Sequence, residues 1–405
     1  MPDYVREILK RLESHGFSAY MVGGCVRDML LGREPLDWDI CTSAMPEEVQ
    51  NLFPGSLPTG LRHGTVTVRL DGYSAEVTTY RTEQGYSDHR RPDNVRFVSD
   101  IAEDLSRRDF TINALALPLN GEILDLHGGI DDLRNGIIRC VGVPAQRFEE
   151  DALRMFRAIR FSAQLGFEIE PETGKAIELY ADSTRHLAPE RIKDELKRTL
   201  LSPRPELLGR MTGLLREYTH PLRDPDPLRR IDALPPGEKG LRLRWTAFCA
   251  LLERDGCIVS APEFLRALRL DSKTVNLAEQ GAQIALHVSP ETRLQWKLAV
   301  AEYGYDSSEA AAWTMRVLQP GTSGVALLDE IRASGECCSV AELAIDGNDL
   351  TALGLSGKSV GEMLRYLLLR VIRNPELNEP ELLIELANRQ LNDAQPESQE
   401  EANFR

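Results

Sequence analysis

The sequence predicts an α+β protein: an N-terminal mixed sheet with helices, followed by an all-α remainder. Three observations predict it. Residues 1–137 alternate short period-two apolar runs with short helical segments. From about Phe148 the helical period takes over and persists. At 405 residues the chain exceeds one ordinary core, so several domains are expected. The expected boundaries are 1–137, 138–205, 206–270, 271–392 and a polar, disordered 393–405.

The first element is the amphipathic stretch Met1–Gly16. Ser18–Gly23 reads as a strand ending in Gly23-Gly24. Cys25–Gly32 reads as a short helix, and Asp37–Thr42 as the next strand. Glu47–Leu52 reads as a helix. Gly64–Leu70 and Tyr73–Tyr80 read as a hairpin around Asp71-Gly72. Tyr80–Arg96 reads as a mobile loop, Leu105–Leu117 as a helix and Gly121–Leu126 as a strand. Ser202–Pro205, Arg223–Pro227 and Pro235-Pro236-Gly237 break the helical part. Its last long helices are expected near Gly361–Asn374 and Glu379–Asn392.

Composition excludes several classes. No stretch approaches the roughly 18 apolar residues of a membrane span, and the N-terminus has no cleavable apolar region, so a cytoplasmic protein is expected. The seven cysteines form no CxxC pair and have no histidine at zinc-ligand spacing, which argues for reduced thiols over disulfides or structural zinc. The net charge of −15 speaks against nucleic acid, but it is uneven. Residues 1–137 carry 14 basic and 22 acidic side chains, 138–205 carry 12 and 11, 206–270 carry 11 and 9, and 271–405 carry 11 and 21. The middle admits a nucleic-acid surface without requiring one.

The chemistry centres on Tyr20–Ile40. Asp37 and Asp39, at i and i+2 of a strand, are expected on one face. Alone, such a pair reads equally as a solvated edge. Gly23 and Gly24 let backbone N–H groups approach a triphosphate, and Arg27 on the following helix can clamp phosphate oxygens. Glu76 lies inside a strand pattern, where a carboxylate is costly unless paired or bound to metal, and is expected as a third ligand on the neighbouring strand. Oxygen-only ligands favour Mg2+. A second cluster, Ser106–Ala114, holds Arg107, Arg108, Asp109 and Asn113 at an expected helix start. Its arginines and Asp109 could hold phosphate and the ribose hydroxyls, and Arg108, Asp109 and Asn113 are assigned to nucleotide binding; on its own the cluster reads as a capped helix with a solvated basic end.

The third cluster is Glu149–Phe161. Read as one helix, it makes Asp151 and Arg154 neighbours, while Arg157 and Arg160 drift off that face by about 60° per i+3 step. Base contact is assigned to Asp151 with Arg154. Phosphate or RNA contact is assigned to Arg157 and Arg160, with structural salt bridges as their alternative role.

The Gly-Gly/Asp-x-Asp pattern is similar to that of the polymerase-β nucleotidyltransferase superfamily. Together with Arg107–Ala114, Asp125–Gly129, Glu150–Arg154 and Glu190–Leu196, it resembles the class II CCA-adding enzymes and the related bacterial poly(A) polymerases. The resemblance implies a polymerase-β-like head, with helical neck, body and tail, and a tail that touches tRNA. It implies that Gly24, Arg27 and Arg108 contact the nucleotide and that Asp37 and Asp39 bind Mg2+. It also implies that Asp151, Arg154, Arg157 and Arg160 form the nucleotide-selecting helix. The implied substrates are the tRNA 3′ end, CTP and ATP, with no membrane partner; a homodimer stays open. Cytosine and adenine both present an amino donor beside a ring-nitrogen acceptor. An acceptor at Asp151 and a donor at Arg154 match that edge and leave uracil and guanine unpaired.

Leu61–Val68 lacks the Gly-basic-basic-Phe run of the polymerase branch, and the loop Tyr86–Pro92 is intact. Both favour full CCA addition or A-addition alone. Poly(A) synthesis and a non-catalytic RNA-binding relative are the remaining alternatives.

Overall fold

The computed structural model describes residues 1–84 and 94–393. The loop Tyr86–Pro92 and the terminal segment 394–405, both singled out above, lie outside the described residues. The chain divides into two compact units, Met1–Leu222 and Arg223–Arg405. The segments 1–137 and 138–205 both fall within the first unit.

The first unit opens with α1 (Asp3–Ser14), β1 (Ala19–Val22), α2 (Gly24–Leu30), β2 (Asp39–Thr42) and α3 (Pro46–Leu52). Next come β3 (Leu57–Gly60), β4 (Thr65–Leu70), β5 (Tyr73–Thr79), β6 (Arg81–Gln84), β7 (Asn94–Phe97) and α4 (Ile101–Ser106). Then β8 (Leu115–Pro118) and β9 (Leu124–Asp125) complete the main sheet. Among the described residues its order is β3-β4-β5-β2-β1-β8-β9. Within this sheet, among the described residues, β2 and β5 run parallel and the other pairs antiparallel. The β4–β5 hairpin turns at Asp71 and Gly72, both at positive φ, as a tight two-residue turn requires. Val5, Ile8, Leu9 and Leu12 form the buried stripe of α1. Val22, Cys41, Tyr80, Leu105 and Ala116 form a buried cluster that joins the sheet to α4.

The expected helix Leu105–Leu117 does not form. α4 ends at Ser106, a short 3-10 turn covers Thr111–Asn113, and β8 follows. The apolar residues Leu115–Leu117 lie in β8, buried at Leu115 and Ala116, and periodicity over so short a run does not separate such a strand from a helix. Arg107 and Arg108 therefore stand at a helix C-terminus, where cations are favoured, rather than at a helix start.

Beyond the sheet come α5 (Gly129–Asn135), β10 (Ile137–Ile138), α6 (Pro144–Glu150), α7 (Leu153–Leu165), β11 (Glu168–Ile169), α8 (Pro171–Leu179), α9 (Pro189–Leu200) and α10 (Leu208–Thr212). The second unit is helical: α11 (Gly237–Arg254), α12 (Ala261–Ala267), α13 (Ser272–Gln283), α14 (Arg293–Leu318), α15 (Gly324–Ser334), α16 (Gly347–Ala352), α17 (Lys358–Arg373) and α18 (Pro380–Asp393). Gly304 kinks α14. No helix among the described residues is long and apolar enough to cross a membrane.

Candidate active site

The site is built at one end of β1 and β2. β1 leaves the sheet at Gly23, whose φ of 74° and ψ of −128° suit only glycine. Its N–H donates to the Leu115 carbonyl at 3.2 Å, and α2 begins at the next residue. A Cβ at position 23 would stand 2.9 Å from Arg108 Nη1, so the glycine also makes room for that guanidinium.

β2 starts at Asp39, not at Asp37. β1 has already turned away at Gly23, so nothing on that side pairs with the backbone before residue 39. Asp37 lies on the preceding bend, and the i, i+2 argument does not fix its direction. In the parallel pair β2–β5, Asp39 stands directly opposite Glu76. The expected neighbouring-strand carboxylate is in place, but the reason given for it needs correction. Glu76 sits on the exposed face of β5, so burial does not force it into a partnership.

Asp39 keeps accessible surface yet is surrounded by protein. That crowding, with the negative charges of Glu76 and Asp37, pushes its carboxyl above the usual carboxylate range against the opposing pull of Arg108. A cation would relieve this concentration of charge. Among the described residues no three acidic, histidine or cysteine side chains converge into a ready-made cage.

The arginines of the first unit form a connected network. Arg108 Nη2 donates to Asp104 Oδ2 at 3.2 Å and to Cys41 Sγ at 3.4 Å. Burial lowers its affinity for a proton, but Cys41 and Asp104 overcome this and leave it firmly protonated. Arg27 is buried on α2. It donates to Asp28 Oδ1 at 2.9 Å and to Asn113 Oδ1 at 2.8 Å. Asn113 in turn donates to Asp109 at 3.2 Å, and Asp109 accepts from Arg157 Nε at 2.7 Å. Burial alone would push the Asp109 carboxyl up, but Arg157, Asn113 and Arg154 hold it at about 2. Asp109 thus faces Arg157 and Asn113 rather than solvent. The Phe161 ring meets Arg27, Arg157 and Arg160 at 5.2, 5.4 and 4.0 Å from its centroid, so a cation–π cluster joins α2 to α7.

The third cluster is not one helix. α6 ends at Glu150, Asp151 is extended (φ −144°, ψ 103°), and α7 starts at Leu153. The break makes Asp151 a cap: Oδ1 accepts the Leu153 N–H at 3.0 Å. Its carboxylate also takes both Arg191 nitrogens, Nη1 at 3.2 Å and Nη2 at 2.7 Å. Arg154 is buried and donates to Glu150 at 2.5 Å, to the Arg147 carbonyl at 3.2 Å and to the Arg107 carbonyl at 3.1 Å. Asp151 and Arg154 are adjacent across the break, and their side chains hold other partners. Arg160 is 4 % exposed and pairs with Glu195 Oε2 at 2.5 Å and Gln164 at 2.8 Å, which is the structural salt-bridge alternative.

The structure brings Gly23, Asp39, Glu76 and Arg108 together, and joins Arg27, Asn113, Asp109 and Arg157. Sequence reasoning assigned no role to Asp104, Glu150, Arg191, Glu195 or Phe161. Arg191 and Glu195 lie in the Glu190–Leu196 segment that carries the resemblance, and Asp104 lies four residues before Arg108; those spacings were the available signals.

Residues 19–139 match the family model of the Poly A polymerase head domain. Residues 166–217 match the model described as a probable RNA and SrmB-binding site of polymerase A. The chain is 38 % identical over 391 residues to the CCA-adding enzyme of Lactiplantibacillus plantarum, covering 94 % of this chain and 95 % of that one. It is 40 % identical over 375 residues to the CCA-adding enzyme of Lactobacillus delbrueckii subsp. bulgaricus, covering 90 % and 92 %. The crystal structure of the Bacillus stearothermophilus CCA-adding enzyme in complex with CTP superposes with a TM-score of 0.77 at 33 % identity, over 96 % of this chain and 98 % of that one. With this identity sustained along nearly the whole of both chains, the protein belongs to the family of CCA-adding enzymes, nucleotidyltransferases with a poly(A)-polymerase-type head.

Proposed function

We propose that this protein adds and repairs the 3′-terminal CCA of tRNA, without a template, from CTP and ATP. The observation that carries the reading is the 38 % identity to a CCA-adding enzyme over 94 % of the chain. The cationic residues of the site, Arg27 and Arg108, are arginines, and arginine binds phosphate oxygens as a fork.

In this reading Asp37 and Asp39 hold Mg2+, with Glu76 beside them. The ion would supply charge neutralisation at the phosphates and a more acidic RNA 3′-hydroxyl. The chain's own residues do the rest. The Gly23-Gly24 turn lets the triphosphate approach the backbone, and Arg108 beneath it offers a fixed, always charged donor. Arg27 is oriented by Asp28 and Asn113. Asp151 accepts the exocyclic amine of cytosine or adenine; a carboxylate has about four lone-pair sites, so the Leu153 N–H and the two Arg191 donors leave about one acceptor site. Arg154 donates to the ring nitrogen by exchanging one of its present acceptors. Asp109, Asn113 and Arg157 brace this arrangement, and Arg160 anchors α7 through Glu195. The free, buried thiols of all seven cysteines fit a reducing cytoplasm.

The test is Mg2+-dependent incorporation on tRNA ending without CCA, with C and with CC. Addition of CTP then ATP, stopping after CCA, is expected. A-addition only to the CC-ended tRNA would replace the reading with an A-adding enzyme. A long A tract would replace it with a poly(A) polymerase. No incorporation on any end would overturn the enzymatic reading.

A further inference from the structure

Asp104 lies on α4 and has no solvent-accessible surface. Its two oxygens are divided between two arginines. Oδ1 accepts from Arg107 Nη2 at 2.7 Å and Nε at 3.1 Å, and from the Arg81 backbone N–H at 3.3 Å. Oδ2 accepts from Arg108 Nη2 at 3.2 Å, with the Cys41 thiol at 3.7 Å. Spacings of i+3 and i+4 put both arginines over the same helical residue. Burial pushes the Asp104 carboxyl up, but the two guanidinium groups outweigh this and hold it below its ordinary value.

The two arginines then serve different parts of the unit. Arg108 Nη1 reaches under the Gly23 turn and lies 3.4 Å from the Asn113 carbonyl. Arg107 folds back, its Nε donating to the Arg81 carbonyl at 2.9 Å. This fixes the turn after α4. On that turn the Arg107 carbonyl accepts from Arg154 Nη2 at 3.1 Å, and the Ser106 carbonyl accepts from Arg147 Nη1 at 3.2 Å. One buried carboxylate therefore stands behind both the phosphate-side arginine and the backbone on which Arg154 is seated.

We propose that Asp104 is a positioning residue that couples the two halves of the nucleotide site: it aims Arg108 at the triphosphate and fixes the Ser106–Arg108 turn that seats Arg154 for base choice. This rests on the nucleotide-site reading given above. Asp104 does not touch substrate; it acts through its two arginines.

The experiment uses the full-length protein and compares wild type with Asp104→Asn, Arg108→Met, the double variant and Arg107→Met. CTP and ATP affinities are read by calorimetry. KM for nucleotide and for tRNA, UTP misincorporation and Tm are read separately. In Asp104→Asn, the CTP and ATP KM values should rise about tenfold and UTP misincorporation several-fold, while the tRNA KM stays within about twofold. Adding Asp104→Asn to Arg108→Met should raise nucleotide KM no further, because the partner is gone. Arg107→Met should relax base choice while CTP affinity stays within about threefold. A folded Asp104→Asn with unchanged nucleotide KM and selectivity overturns the proposal. So does a nucleotide and tRNA KM that rise together with a fall in the folded fraction, or an additive double variant. If Asp104→Asn does not fold, unchanged selectivity in Arg107→Met overturns it. Failure of the wild type to bind CTP or ATP would instead sink the function reading itself.

Discussion

Asp151 and Arg191 face each other across two hydrogen bonds, Nη1–Oδ1 at 3.2 Å and Nη2–Oδ2 at 2.7 Å, which join the start of α7 to α9. A bidentate clamp of this kind fixes a carboxylate in direction as well as place. Base choice that depends on Asp151 therefore depends on Arg191. Arg191→Met is expected to raise UTP incorporation relative to CTP about tenfold, or ~1.4 kcal/mol of discrimination. Competition between the two nucleotides on one tRNA measures it, and unchanged discrimination would remove Arg191 from base choice.

Asp39 and Glu76, opposite each other in the parallel pair, concentrate negative charge that a cation would neutralise. Asp39→Asn is expected to lower incorporation by at least about a hundredfold with both CTP and ATP. Thermal unfolding gives an independent reading. Mg2+ should raise Tm in wild type by linkage and fail to do so in Asp39→Asn, while the metal-free variant should be at least as stable as wild type because one crowded charge is gone. An equal Mg2+ shift in both proteins would place the ion elsewhere.

Asp109 titrates at about 2 in the folded protein, below its ordinary value of roughly 3.9. Because the folded value is depressed, the stability it contributes is fully present above pH ~4 and is lost as pH falls toward ~2. The contribution is roughly 2–3 kcal/mol. Urea unfolding of wild type and Asp109→Asn should converge across that window and differ above it. A difference that stays constant from pH 2 to pH 6, taken as an approximate experimental range, would contradict the depressed value.

Gly23→Ala meets two obstacles, a φ of 74° and the Arg108 guanidinium 2.9 Å from the new Cβ. The backbone strain alone costs about 1–3 kcal/mol. Displacing Arg108 should also raise nucleotide KM about tenfold while leaving tRNA affinity unchanged. A variant of normal Tm and KM would show that the turn relaxes freely.

Arg160 and Glu195 form a buried pair on α7 and α9. Removing either partner strands a charge and should destabilise by ~3–5 kcal/mol, whereas Arg160→Met with Glu195→Leu should come close to wild type. The double variant should keep its CTP and ATP KM and its tRNA KM. A selective loss of tRNA affinity in that variant would restore Arg160 as an RNA contact.

The sequence by itself determined the α+β class, the hairpin at Asp71-Gly72, the Gly-Gly turn before the carboxylate strand, and the residue types at the site. These follow from local chemistry: glycine for a positive φ, alternation for a half-buried strand, and carboxylates and arginines in motif order. It did not determine where helices break or which charges meet. Leu115–Pro118 became a strand because β1 offers it a buried partner, a contact made across some ninety residues. The helix expected through Asp151 breaks where Asp151 turns to cap α7 and bind Arg191, 40 residues away. Only the tertiary structure decided that Arg191 belongs to Asp151, and Arg160 to Glu195. An ion pair is chosen by which guanidinium and carboxylate are buried together, and packing of distant elements, not local periodicity, sets that.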